Sequence, residues 1–271
     1  MDSKKLNHLL EAAWECTSKS KQLSLVRQIL DIAPKNTEAL ILLADNTDDD
    51  YEREDILMEA KRSLEDPENY PQGMKDELFC AINSRHALTL FTRGSYSEAL
   101  SVCDSVSQFL ASNDDPNLEE YKNDFKSIFY ISLIEIGQWK NILALTMKDD
   151  SHNLSWAYSR LIAAWMGSSG QQKSLCANMF WDALIISPDV PFYMLGYYEE
   201  PEDDDDDNND EDEAFSFALM YYDILSVSED FLHWFTRGTI LFGLLTNRFD
   251  GKEREYVLDV LDSLGGYEEY E

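Results

Sequence analysis

Carboxylates are the residues best placed to do chemistry in this chain, and they crowd into one stretch. In "EEPEDDDDDNNDEDE", residues 199 to 213, twelve of fifteen residues are acidic and none is basic. Such a run invites a calcium reading. An EF-hand loop, however, alternates its ligands and turns sharply on a glycine at its sixth position. Aligning Glu202 to Glu213 puts Asp207 there, and no glycine occurs between Gly196 and Gly238. The run therefore reads as a solvated segment extended by like-charge repulsion. Its end, Asp210 to Glu213, precedes a helix expected to begin near Ala214, where carboxylates suit the positive end of the helix dipole. Asp203, Asp205 and Asp207 can also act as an electrostatic lure for a basic partner. A smaller cluster, "DNTDDDYERED" at 45 to 55, is open to the same two readings, cation binding or a plain loop between helices.

Other reactive groups are dispersed. His8, His86, His152 and His233 lie more than 60 residues apart, and Cys16, Cys80, Cys103 and Cys176 include no C-x-x-C, so the short spacings of a zinc site are missing. "MGSSGQQ" at 166 to 172 is serine-rich but lies between two helical stripes, not at the strand-to-helix elbow of a nucleophilic serine. Phosphate-cradling and dinucleotide-binding glycine motifs do not occur. The expectation is a non-enzymatic protein with no catalytic residues, no metal and no cofactor.

Composition narrows the partners. With 53 acidic and 22 basic residues the formal charge is −31, and subtracting the twelve acids of the run still leaves 22 − 41 = −19. Acidity is thus spread over the whole chain. It repels nucleic-acid phosphates and anionic lipid surfaces and attracts basic proteins, basic peptides or cations. Hydrophobic residues at 44 % and aromatics at 12 % are enough for a sizeable core. The longest apolar stretches, "ALILLA" and "ILFGLL", fall far short of the roughly 20 residues of a membrane span. "MDSKKLNHLLEAAWECTSKSK" holds no apolar segment of signal-peptide length. Scattered cysteines read as buried thiols in a reducing compartment, and the expected location is the cytoplasm.

The elements that must position any site are helices. Leu6, Leu9, Leu10, Ala13 and Trp14 follow helical spacing as one stripe, and Leu23, Val26, Ile29 and Leu30 form a second that closes at "APKN". A third runs from Ala39 to Ala44 and resumes at Ile56, Leu57, Ala60 and Leu64. Strand-like alternation is hard to find, so the spacing predicts an all-α chain.

The stretch "GSYSEALSVC", Gly94 to Cys103, adds a repeat pattern. Glycine permits a tight turn between antiparallel helices, and Ala99 lets the two backbones approach closely. This stretch resembles the turn and second helix of a tetratricopeptide repeat. "GQWKNIL" at 137 to 143, "MFWDALIISPDVP", and "LVRQILDIAPKNTEALILLAD" are weaker copies. The resemblance implies four or five helical hairpins between residues 5 and 190, forming an α-solenoid. Val190, Pro191, Tyr193, Leu195, Glu213, Ala214 and Ala218 form a block similar to one in uncharacterised bacterial tetratricopeptide-like proteins. The block is also distantly similar to the C-terminal part of the suppressor-of-tumorigenicity 7 protein. It implies capping helices at 214 to 227, 232 to 245 and 252 to 264. The expected organisation is repeats over 1–196, an acidic loop over 197–213, and capping helices packed on the same solenoid over 214–271.

In a tetratricopeptide-like solenoid the first helix of each hairpin lines a concave groove. Matching the pattern assigns to that groove Glu38, Ile41 and Asp45, then Ser84 and Leu88, then Asp124, Ser127 and Glu135, and finally Tyr158, Leu161 and Trp165. Acids with aromatics suit a basic or mixed-charge peptide, where Trp165 can stack on an arginine. Inter-helix packing is the competing role for Tyr158, Leu161 and Trp165. The functional expectation is an adaptor holding such a partner in an acidic groove. The alternative is an acidic inhibitor that imitates DNA and blocks a nucleic-acid-binding enzyme.

Overall fold

The computed structural model describes residues 3–65, 70, 72–113, 115–149, 152–168, 170–201 and 209–265. Over these residues it is helical throughout, with no strand. The chain forms two compact units that divide between Ser132 and Leu133.

The first unit holds α1 (Ser3–Trp14), α2 (Lys19–Ile32), α3 (Thr37–Asp45), α4 (Asp50–Leu64), α5 (Gln72–Thr92), α6 (Tyr96–Ala111), a short 3-10 turn (Pro116–Leu118) and most of α7 (Glu119–Glu135). From α1 to α6 each helix packs on the next, and α1 also meets α3 while α3 meets α5. The α1 and α2 stripes close on α3 through Leu10, Ala13, Val26, Ile29, Ala39 and Leu42. The other side of α3 gives Leu40, Ile41 and Ala44 to a cluster with Leu57, Ala60, Leu78 and Ile82 of α4 and α5. Helix α3 is therefore buried on nearly every side, as a helix apolar all round must be.

Caps set where these helices start. The Asn36 side chain accepts from the Ala39 amide at 2.8 Å, and Asp49 accepts from the amides of Tyr51 and Glu52 at 3.0 and 2.9 Å. The second of these alters the reading of "DNTDDDYERED". Six of its eleven residues, Asp50 to Asp55, open α4, with Asp49 as the cap and Asp50 and Glu52 at the positive end of the helix dipole.

Glycine ends two helices by one device. Gly94 and Gly137 sit at φ +78° and +71°. The residue after each donates its amide to the carbonyl five positions back, Ser95 to Leu90 at 2.8 Å and Gln138 to Leu133 at 2.9 Å. This is the Schellman closure, which a left-handed residue makes accessible. The two turns singled out by their sequence thus share one backbone geometry. Ala99 is fully buried, as a close helix approach requires.

The second unit contains the end of α7, then α8 (Trp139–Thr146), α9 (Leu154–Ser168), α10 (Lys173–Ile186), α11 (Val190–Met194), α12 (Asn209–Tyr221), a 3-10 segment (Tyr222–Val227), α13 (Glu229–Leu245) and α14 (Gly251–Ser263). Helix α9 packs on α8, α10 and α12, and α13 packs on α11 and α14. Aromatic rings fill the interior: Trp165 stacks on Trp234 with centroids 4.6 Å apart, and Phe217 stacks on Tyr221 at 4.1 Å. Arg248 joins the segment after α13 to the start of α11. It pairs with Asp189, donates to the Tyr198 hydroxyl at 2.8 Å and lies 5.0 Å over the Phe192 ring.

One boundary differs from the sequence expectation. Helix α12 begins at Asn209, so residues 209–213 of the expected acidic loop are helical. Residues 133–196 and 214–265 fall in one compact unit. Among the described residues, no helix is long and apolar enough to cross a membrane.

Candidate functional site

The first unit carries a hollow of about 1010 Å³ beside α1, the α2–α3 turn and the start of α5. Leu10, Pro34 and Met74 give it apolar surface, and Trp14 and Tyr70 give it aromatic surface. Among the described residues its charged lining is Glu11, Glu15 and Glu38 against Lys35, a net excess of two carboxylates. A cavity of this size matches those that take a short peptide segment or a sizeable small molecule.

Glu38 is the distinctive group. It lies in the first turn of α3, where the Asn36 cap fixes the chain direction. Burial raises its carboxyl above the ordinary range, and the nearby Trp14 side chain pulls it only partway back. Tyr70 is half-buried beside it, its phenol raised first by burial, while its oxygen accepts from the Thr37 amide at 3.3 Å. No ion pair involving Glu38 occurs among the described residues. A half-desolvated carboxylate between two aromatic side chains, with no ion pair among the described residues, carries a desolvation cost that a paired cation would offset. Such a setting suits a lysine or arginine side chain, held by charge and by ring faces together.

The groove residues expected from the repeat pattern take several different positions. Glu38 and Asp45 lie on α3 two turns apart. Asp45 is held by Arg85 of α5 through a two-pronged pair at 2.7 and 2.9 Å, so it fastens helices together. Ile41 is fully buried between them, which corrects its placement at an open surface. On α5, Ser84 is half-buried and Leu88 is 42 % exposed. On α7, Asp124 is exposed and Ser127 half-buried, with the Ser127 hydroxyl bonded to the Asn123 carbonyl at 3.1 Å; Glu135, at the helix end, is half-buried. Asp203, Asp205 and Asp207 lie outside the described residues.

Tyr158, Leu161 and Trp165 are interior, and their expected place on an exposed groove is corrected. Tyr158 is fully buried and donates its hydroxyl to the Ser187 carbonyl at 2.8 Å, Leu161 is fully buried, and Trp165 is 3 % exposed against Trp234. The cause is α9 itself, eleven of whose fifteen residues are buried. A helix surrounded by packing has no side free for a ligand.

Sequence reasoning passed over Trp14 and Tyr70. Trp14 completes a helical stripe and so reads as core, yet it is 45 % exposed at the rim of the hollow. The available signal was its place at the last residue of α1, where the following chain turns away. Tyr70 precedes α5 and belongs to no periodic pattern.

The remaining reactive groups are inert or scattered. Burial pushes the Cys80 and Cys103 thiols up to about 12 and that of Cys176 up to about 11, which keeps them protonated. Among the described residues, no three His, Cys, Asp or Glu side chains converge as a metal site requires. No family model matches the chain, and no curated protein or solved structure matches it either.

Proposed function

We propose that this chain is a non-enzymatic protein-binding adaptor whose first unit holds a basic or mixed-charge peptide segment in the hollow beside Glu38. The observation that carries the reading is Glu38 itself, a carboxylate raised by burial, flanked by Trp14 and Tyr70 and without an ion pair among the described residues. A lysine or arginine of the partner supplies the missing cation, and Leu10 and Met74 take an apolar neighbour of that residue. The acidity of the chain as a whole speeds the encounter with a basic segment.

A tetratricopeptide-like solenoid is the architecture we assign to the helix hairpins. Consecutive packing from α1 to α6, the α1–α3 and α3–α5 contacts, and the shared closures at Gly94 and Gly137 support it.

The test is a positional library of ten-residue peptides titrated against the full chain at moderate salt. Peptides containing arginine or lysine next to an aliphatic residue are expected to bind. Glu38→Gln and Trp14→Ala should each weaken that binding about tenfold, or roughly 1.4 kcal/mol. Binding unchanged in both variants overturns the reading.

A further inference from the structure

The second unit carries a hollow of about 490 Å³ whose chemistry is opposite to that of the hollow beside Glu38. Phe180 and Trp181 of α10, Leu241 and Leu245 of α13 and Leu258 of α14 line it, and Arg254 is its one charged lining residue among those described. Apolar surface continues beyond its edge. On α10, Trp181 and Ile185 stand one turn apart at 46 % and 81 % exposure, and on α13 Leu245 follows Leu241 by one turn at 72 % exposure. Side chains four apart on a helix make a ridge, and the space between two ridges is the shape into which a third helix packs. A compact small molecule held among the lining residues would leave Ile185, one turn beyond Trp181, in water. A helix laid along the trough covers it together with Leu245.

Charge indicates what that helix carries. Arg254 makes no ion pair among the described residues, in a chain with 53 acids and 22 bases. A second copy of the chain, itself at −31, is repelled from this surface. We infer that the trough formed by α10, α13 and α14 binds an amphipathic helix of another protein. The apolar stripe of that helix, spaced i, i+3 or i+4 and i+7, lies against Trp181 and Leu245, and a carboxylate beside the stripe pairs with Arg254. This is the helix-in-groove mode of recognition. It does not depend on the hollow beside Glu38.

Two designed peptides test it on the full chain at about 0.15 M salt, where contributions from distant charges are screened. Both are fluorescein-labelled helices with a leucine stripe and an alanine and glutamine outer face. One carries a single glutamate beside the stripe and the other a lysine at that position. The glutamate helix is expected to bind about tenfold tighter. Leu245→Asp, at a largely exposed position, should remove binding of both while leaving the circular-dichroism spectrum unchanged. Arg254→Glu should reverse the preference between the two peptides. Equal binding of the peptides, or binding indifferent to Leu245→Asp, overturns the proposal. So does self-association of the chain abolished by Leu245→Asp, which would assign the trough to a second copy. Saturable uptake of a fluorescent fatty acid at the trough, without binding of either helix, overturns it in favour of a lipid.

Discussion

In the proposed reading, Glu38 links stability and binding through one proton. Its carboxyl is raised by burial, so the folded chain holds that proton to a higher pH than the unfolded chain does. The unfolded state is then the first to ionise, and stability falls as pH rises from the ordinary carboxylate value through the raised one. Glu38→Gln removes this penalty. Thermal melts from about pH 4.5 upward should therefore show the variant gaining on the native chain as pH rises. Peptide binding should run the other way, strengthening in the native chain as Glu38 ionises and staying flat in the variant. Equal slopes for the two proteins in the melts would mean that Glu38 is not desolvated. The sequence offered Glu38 as a groove acid because α3 has a clear repeat-like pattern. It did not offer Trp14 or Tyr70, since exposure at a helix end and at a residue outside any periodic element leaves no trace in spacing.

Between elements, α4 and α5 are fastened by a polar cluster. Glu54 of α4 pairs with Arg93 at the end of α5 and lies 3.4 Å from the His86 ring. Burial would raise Glu54, but the bonds from Arg93 and His86 bring it below its ordinary value. Burial lowers His86, with Lys61 and Arg93 adding to the effect and Glu54 opposing it; the His86 Nδ1 is buried with no partner among the described residues. A lowered histidine takes up its proton in the unfolded state first, so stability present above about pH 6.5 is lost as pH falls below it. The melting temperature should drop between about pH 7 and pH 5.5, and His86→Leu should flatten that drop. A second prediction concerns α13, whose Gly243 lies against two rings. A methyl group there would sit 2.4 Å from Phe249 and 3.0 Å from Phe192. Gly243→Ala should lower stability by about 1–3 kcal/mol, as overpacking does, read from chemical denaturation. Helix type was legible at this scale because the apolar spacing of α1, α2 and α6 is strong. Which side of a helix faces out was not legible for α9, because "LSWAYSRLIAAWMGS" is apolar nearly all round and burial on every side erases the stripe.

Over the whole molecule, charge opposes compactness, while the proposed partner is a basic segment that the same charge would attract. The division at Ser132 and Leu133 was hidden from sequence because it falls inside α7, where "FKSIFYISLIE" has neither glycine nor proline to punctuate it. The charge was plain: −31 in total and −19 without the acidic run, so repulsion is a property of the folded body as well as of that segment. Folding brings these carboxylates closer together than they are in the extended chain, and salt weakens their repulsion once the Debye length shrinks below their spacing. Raising NaCl from about 20 mM to about 500 mM should therefore raise the melting temperature, by about 2–4 °C for each kcal/mol of repulsion relieved. The same change should weaken capture of a basic peptide at Glu38, since screening acts on attraction and repulsion alike. The glutamate helix in the α13 trough should respond less, because apolar contact carries most of its binding. Salt would thus separate self-repulsion, which it relieves, from the two proposed modes of binding: cation capture, which it weakens, and apolar docking, which it leaves nearly constant. A melting temperature that falls with salt would show that ion pairs such as Asp45–Arg85 and Asp189–Arg248 outweigh the repulsion, and that the acidity costs the fold little.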